Sequence, residues 1–146
     1  MNDITHVFIT HSHLDHYRNL GMFPNSIAID IRGEWNKDRY KPIERPNHFH
    51  KSDVGNFTKN IHIIKTVGHD ESSLSFFING ETIFDEKIVS GMIAICGDVF
   101  RRENFPSVEE EPFATDKVKL KKSRELIMNN AEYVIPGHDD IFKTEK

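Results

Sequence analysis

The 146 residues make the length of one domain, enough to bury a single hydrophobic core. With 37% hydrophobic residues, 29% charged residues and a net charge of −4, the composition excludes collagen-like and low-complexity chains and lacks the basic excess of a nucleic-acid binder. No run of about 18 apolar residues offers a transmembrane helix, and Met1-Asn2-Asp3 opens no basic-then-apolar leader pattern. No membrane association is expected. The single cysteine, Cys96, excludes an intrachain disulfide, and the expected location is cytoplasmic, nuclear or both. What stands out is histidine: there are nine, and four of them fall in the first sixteen residues.

In chain order, residues 4–10 are β-branched and apolar and read as a buried strand. Residues 11–16, His-Ser-His-Leu-Asp-His, follow as a loop or helix entry. Residues 26–31 alternate and read as a second strand. Residues 32–58, with Pro42, Pro46 and Gly55, read as a long loop with short strand pieces. Residues 60–66 form the next strand, running into a turn at Val67-Gly68-His69-Asp70. Asn79-Gly80 between two apolar runs is a strong hairpin signal, because both residue types tolerate positive φ. A strand over 88–96 ends at Gly97-Asp98, and an acidic loop covers 101–112. The helix is expected over 115–129, with Thr115 or Asp116 as N-cap and a stripe of Leu120, Ser123/Arg124, Ile127 and Ala131. A last strand, 132–135, exits through Pro136-Gly137-His138. The whole chain, residues 1–146, reads as one domain.

Four strands thus end in loops carrying metal-type ligands, and strand ends converging on one rim are where sheet proteins build sites. His11, His13, Asp15 and His16, with His69, Asp98 and His138, supply five imidazoles and two carboxylates. Such donors suit zinc, iron or manganese. They are enough for two ions sharing Asp98, which would activate water without a serine or cysteine nucleophile. Taken alone, Gly97-Asp98 and Gly137-His138 are ordinary strand-end turns; the set gives them weight. His6 and His62, inside strands, read as sheet-face histidines, and His48-Phe49-His50 as solvated loop. Cys96 reads as a buried strand residue, and the lysines at 117, 119, 121 and 122 as a solvated helix face. Trp35, Phe49 and Phe57 suit either core plugs or groove lining.

Thr-His-Ser-His-Leu-Asp-His at 10–16, Gly-His at 68–69, Gly-Asp at 97–98 and Gly-His at 137–138, in that order, make the chain similar to the metallo-β-lactamase fold hydrolases. The resemblance covers almost the whole chain. It implies an α+β fold, a four-layer αβ/βα sandwich with two zinc ions at one edge of its sheets. It also implies that His11, His13 and His69 hold the first ion, that Asp15, His16 and His138 hold the second, and that Asp98 bridges. Asp15 is implied to be catalytic as well, orienting a hydroxide held between the ions.

Residues 19–24, Gly97-Asp98-Val99-Phe100 with Arg101 and Glu103, and Lys122-Ser123-Arg124 resemble a narrower group within that family. The group is associated with zinc-dependent endoribonuclease action at the 3′ end of histone pre-mRNA. An RNA substrate is therefore the implied partner, gripped by loops such as Arg101-Arg102 or by the stretch 117–124. The family pattern also has strands and a helix ahead of the first histidine motif, which here starts ten residues from Met1. The expectation is a domain lacking its N-terminal strands, completed by that segment or by a homo-oligomeric partner. Asp139-Asp140 stands where the pattern has Gly-Pro-like residues, and Asp70-Glu71 is also acidic; both would repel phosphates. The rival readings are hydrolysis of a small thioester, lactone or β-lactam-like amide, an inactive metal-binding module, and RNA binding without cleavage.

Overall fold

The structure is a computed structural model that describes residues 3–42 and 54–145. Two sheets carry the fold. The first has four strands in the order β1 (His6–Phe8), β2 (Ile27–Ile29), β3 (Gly33–Asn36) and β4 (Arg39–Pro42). β1 and β2 run parallel and the rest antiparallel. The second sheet has six strands: β5 (Val54–Asn56), β6 (Ile61–Lys65), β7 (Leu74–Phe84), β8 (Lys87–Gly97), β9 (Tyr133–Pro136) and β10 (Phe142–Lys143), lying β10-β9-β8-β7-β6-β5. The helices are α1 (Leu14–Tyr17) and α2 (Lys117–Asn130), with a 3-10 turn at Leu20–Met22. No helix among the described residues is long and apolar enough to cross a membrane.

The central strands of the second sheet are buried on both faces, and their period of two divides them between two cores. Ile63, Leu74, Phe76 and Ile95 meet Phe8, Ile27, Ile29 and Phe57 between the sheets. The opposite face presents Ile64, Phe77, Ala94, Cys96 and Val134 to Leu120 and Ile127 of α2 and to Ala131 just beyond it. The stripe read from the sequence is the buried face, Ser123 and Arg124 included. Asp116 is the N-cap, accepting from the Lys119 amide at 3.0 Å, so α2 begins after it. Sheet against sheet, with α2 on the outer face of the second, gives three layers of the expected four-layer αβ/βα sandwich.

Several open or mistaken readings are resolved. Trp35 stacks on Tyr40 and donates its indole N–H to Asp30, while Phe57 plugs the inter-sheet core. His48, Phe49 and His50 lie outside the described residues. The turn expected at Asn79-Gly80 is not there. Pairing runs unbroken from Phe76↔Ile95 to Phe84↔Lys87, and Asn79 and Gly80 sit inside it opposite Met92 and Gly91. The chain reverses at Asp85-Glu86, both at positive φ (50° and 60°), as a two-residue I′-type hairpin loop requires. A turn at 79–80 would have paired Ile78 with Glu81 and left the inner half of β8 without its antiparallel neighbour. Two long central strands outweigh a locally favoured turn.

Candidate metal centre

β6, β8 and β9 run in the same direction, since β8 and β9 are parallel and β7 is antiparallel to both β6 and β8. The loops after them therefore open on one rim. The loop after β1 joins them there, tied by the Leu74 amide donating to the Thr10 carbonyl at 2.7 Å. Near the second sheet, Gly137 N–H donates to Phe100 C=O and His138 N–H to Arg101 C=O, each at 2.9 Å. The Asp98 and His138 loops are thereby zipped together. On the other side, Thr115, Asp116 and Ser123 of the α2 entry hold the carbonyls of residues 67–69.

All seven residues singled out in the sequence converge at this rim. They form two groups, His11, His13, His69 and Asp98, and Asp15, His16 and His138, with the ligand atoms of each group within 4.8 Å of one another. His13 Nδ1 lies 3.1 Å from His11 Nε2 and 3.0 Å from His69 Nε2. Asp98 turns Oδ2 toward His69 Nε2 at 3.5 Å and Oδ1 toward His16 and His138 Nε2, each at 3.2 Å. Asp15 Oδ2 stands 3.5 Å from the same nitrogens of His16 and His138. His11, His69 and Asp98 are 2%, 1% and 5% exposed, while His13 and Asp15 lie toward the surface.

Hydrogen bonding alone does not account for this arrangement. A single His13 nitrogen faces two others and can serve only one at a time. The buried atoms His16 Nε2 and Asp98 Oδ1 make no hydrogen bond of good geometry, a costly state for buried polar atoms. Ligand atoms around a tetrahedral ion with bonds of 2.0–2.1 Å stand roughly 3.3 Å apart, close to the spacings here. The donor set, imidazole nitrogen with carboxylate oxygen, is that of a divalent first-row ion. The residues present fit such ions.

The electrostatics point the same way. Burial, then neighbouring His16, push His11 down to about 4, and burial also lowers His69. Both stay neutral, as ligands must. Burial alone would raise Asp98, but His16, His138 and His69 outweigh it and draw the carboxyl down to about 2. His16 is raised, chiefly by the Asp98 carboxylate 3.2 Å away.

The glycines preceding three of these ligands have a steric reason. A Cβ on Gly137 would collide with Asp98 Oδ1, and one on Gly68, already at φ 130°, with the backbone of Leu120. Supporting residues carried no motif in the sequence. Thr10 Oγ1, 3.2 Å from His11 Nδ1, can accept its proton and leave Nε2 free toward the centre. Ser72 Oγ accepts from the Ser12 amide at 2.9 Å and is itself held by Asp70. Asp70 is thus turned into the scaffold, and Glu71 is offset by Lys119 at 3.0 Å. Arg124, counted above within a possible RNA-gripping stretch, is buried and serves the core instead. His6 and His62 are half-buried on strands, as expected. Cys96 is buried, its thiol pushed up to about 12 by desolvation, and is chemically inert.

A family model described as the metallo-beta-lactamase superfamily matches residues 2–84. Metallo-beta-lactamase domain-containing protein 1 of Xenopus laevis is 27% identical over 99% of this chain and 58% of its own length. The N-acyl homoserine lactonase of Bacillus cereus is 27% identical over 94% of this chain and 56% of its own. A solved N-acyl homoserine lactone hydrolase, with N-hexanoyl-L-homoserine at its catalytic metal centre, superposes with a TM-score of 0.58 at 22% identity, over 94% of this chain and 56% of that one. This chain spans roughly half the length of the relatives it matches.

Proposed function

The chain belongs to the metallo-beta-lactamase superfamily, whose members are generally metal-dependent hydrolases, and from that premise we propose that it hydrolyses its substrate with two zinc ions. The observation that carries this reading is Asp98, whose two oxygens face two separate groups of imidazoles. His11, His13 and His69 would hold one ion, Asp15, His16 and His138 the other, and Asp98 would join them. When bound, such a pair supplies Lewis acidity and acidifies water near neutral pH. Asp15, exposed and outermost, orients the attacking water by accepting a hydrogen bond at its carboxylate. The buried carboxylate of Asp98 fixes the His16 and His138 rings, and Thr10 fixes that of His11.

The substrate we propose is an RNA phosphodiester. Two observations support it: the resemblance of residues 97–101 and 122–124 to an RNA-processing group, and the presence of Arg101 and Arg102 in the lining of a cavity that His138 also lines. The second reading, a lactone or related small ester, is favoured by the likeness to the lactonase. A panel of single-stranded RNA, N-acyl homoserine lactone and an aryl thioester, run on protein of measured metal content, separates them. RNA cleavage without ester turnover is expected; ester turnover alone overturns the RNA reading.

The shifted histidines predict the order of metal release. Protons compete with metal for imidazole. His16 is raised and His11 and His69 are lowered, so His16, in the second group, takes up its proton at a higher pH than His11 and His69 in the first. As pH falls from 8, one equivalent of zinc should leave before the other in equilibrium dialysis followed by elemental analysis. His138→Ala protein should show only the later step. Release of both ions together in the native chain would contradict the assignment.

A further inference from the structure

The outer face of the first sheet carries a cleft of its own. Ile27 and Ile29 face the inter-sheet core. By the period of two, Ala28 between them faces outward, as do its ladder partners Val7 and Trp35. α1 and the 3-10 turn lie over this face without burying a residue of their own. They leave a cavity of about 270 Å³, with Tyr17 and Leu20 on one side, Trp35 on another, and Ile9 and Ala28 as its floor. That is below the usual volume for a drug-sized ligand and admits a single ring system.

The Trp35 wall is fixed in advance. Its indole N–H donates to Asp30 Oδ1 at 3.2 Å, the oxygen that also accepts the amides of Arg32 and Gly33 at 2.8 and 3.1 Å. Tyr40 packs on the indole with ring centroids 4.5 Å apart, and its hydroxyl donates to the Arg32 carbonyl at 2.8 Å. Asp30 Oδ2 stays outside those bonds, 4.0 Å from Arg32 Nε. Tyr17 is 40% exposed and so is no core residue. The cleft lies at the metal rim. β1 and β2 run parallel, so the loops after them, one with the ligands His11 to His16 and one with Asp30 and Arg32, leave the sheet at the same end. Ser12, between two candidate ligands, lines the cleft together with Asp30.

Two aromatic side chains on different elements, over a short aliphatic floor, suit a flat ring. Unpaired RNA bases are such rings, and proteins take them up by stacking them on aromatic side chains. We infer that this cleft is a base subsite, in which Trp35 and Tyr17 hold one unpaired nucleobase of the substrate beside the metal centre while Ser12 and Asp30 meet its hydrogen-bonding edge. The choice of occupant rests on the RNA reading above.

Trp35 is the one tryptophan of the chain, so its fluorescence reports on the cleft directly. The metal-loaded chain is titrated with adenosine and cytidine, which have no phosphodiester to cleave, and with N-hexanoylglycinamide as an acyl-chain control. A saturable change in emission with both nucleosides is expected. Tyr17→Ala should weaken binding about tenfold, the scale of a lost base–aromatic stack, and Tyr17→Phe should restore it. Tyr17 adjoins His16, so metal content is measured in each variant. Ala28→Ile, which fills the floor and touches no candidate ligand, should weaken binding by a similar factor with metal content unchanged. Absence of a saturable change, or an affinity indifferent to both Tyr17→Ala and Ala28→Ile, overturns the subsite. So does a response to the acyl amide alone, which would make the cleft an acyl-chain slot. The two readings fail separately: nucleoside binding without RNA cleavage upholds the base site and removes the nuclease, and RNA cleavage without nucleoside binding does the reverse.

Discussion

Asp98→Asn should abolish binding of the two metal ions proposed above and, with it, the proposed hydrolysis. The carboxylate presents one oxygen to His69 and the other to His16 and His138. Asparagine keeps one acceptor and turns the other position into an N–H donor, which no cation can use. It also removes the one buried negative charge that all three of these imidazoles face. The drop in affinity should exceed the roughly 10–100-fold that follows loss of an outer-shell partner. Elemental analysis should fall from about two ions toward none, whereas His138→Ala should retain about one. A folded Asp98→Asn protein that keeps two ions would show that Asp98 is not shared.

Arg124→Met should be the most damaging substitution for stability. Arg124 is buried, donates from Nε to the Val99 carbonyl at 2.7 Å and from Nη1 to the Pro106 carbonyl at 2.8 Å, and lies over the Phe100 ring. Nη2 stands 3.8 Å from Glu111, which is 1% exposed. Removing one member of a buried pair strands the other charge, at about 3–5 kcal/mol. Two loop carbonyls lose their donor as well. The urea midpoint should fall accordingly, and Glu111→Gln added to Arg124→Met should recover part of the loss. Arg124→Lys should not substitute, because a single ammonium cannot reach both carbonyls as the fork does. Val99 adjoins Asp98, so the variant should also bind metal more weakly. Stability unchanged within about 0.5 kcal/mol, the range of surface substitutions, would remove Arg124 from this role.

The seven candidate ligands were legible in the sequence because each sits in a short motif at a strand end. A strand end is a local feature, marked by an apolar run stopping at glycine or at a polar loop. The β1, β6, β8 and β9 exits could be placed this way, as could α2, whose period and Asp116 cap are both local. Asn79-Gly80 failed for the converse reason. Its turn preference is local, but its strand state is decided by Met92 and Gly91 across the ladder. β3, β4 and β10 are short, and their strand character comes from pairing rather than from an alternating pattern.

The sequence by itself determined the candidate donor set, the order of its loops along the chain, and the buried face of α2, because residue type and local periodicity carry all three. Only the tertiary structure decided that Arg124 lies inside while Arg101 and Arg102 line a cavity, and that Asp70 and Glu71 are turned to scaffold partners. The meeting of residues 69, 98 and 138 at one rim depends on the parallel run of β6, β8 and β9, and the loop after β1 is tied to it by the Leu74–Thr10 bond. Distance between side chains remote in sequence is set by long-range pairing and burial, and a local pattern holds no information about it.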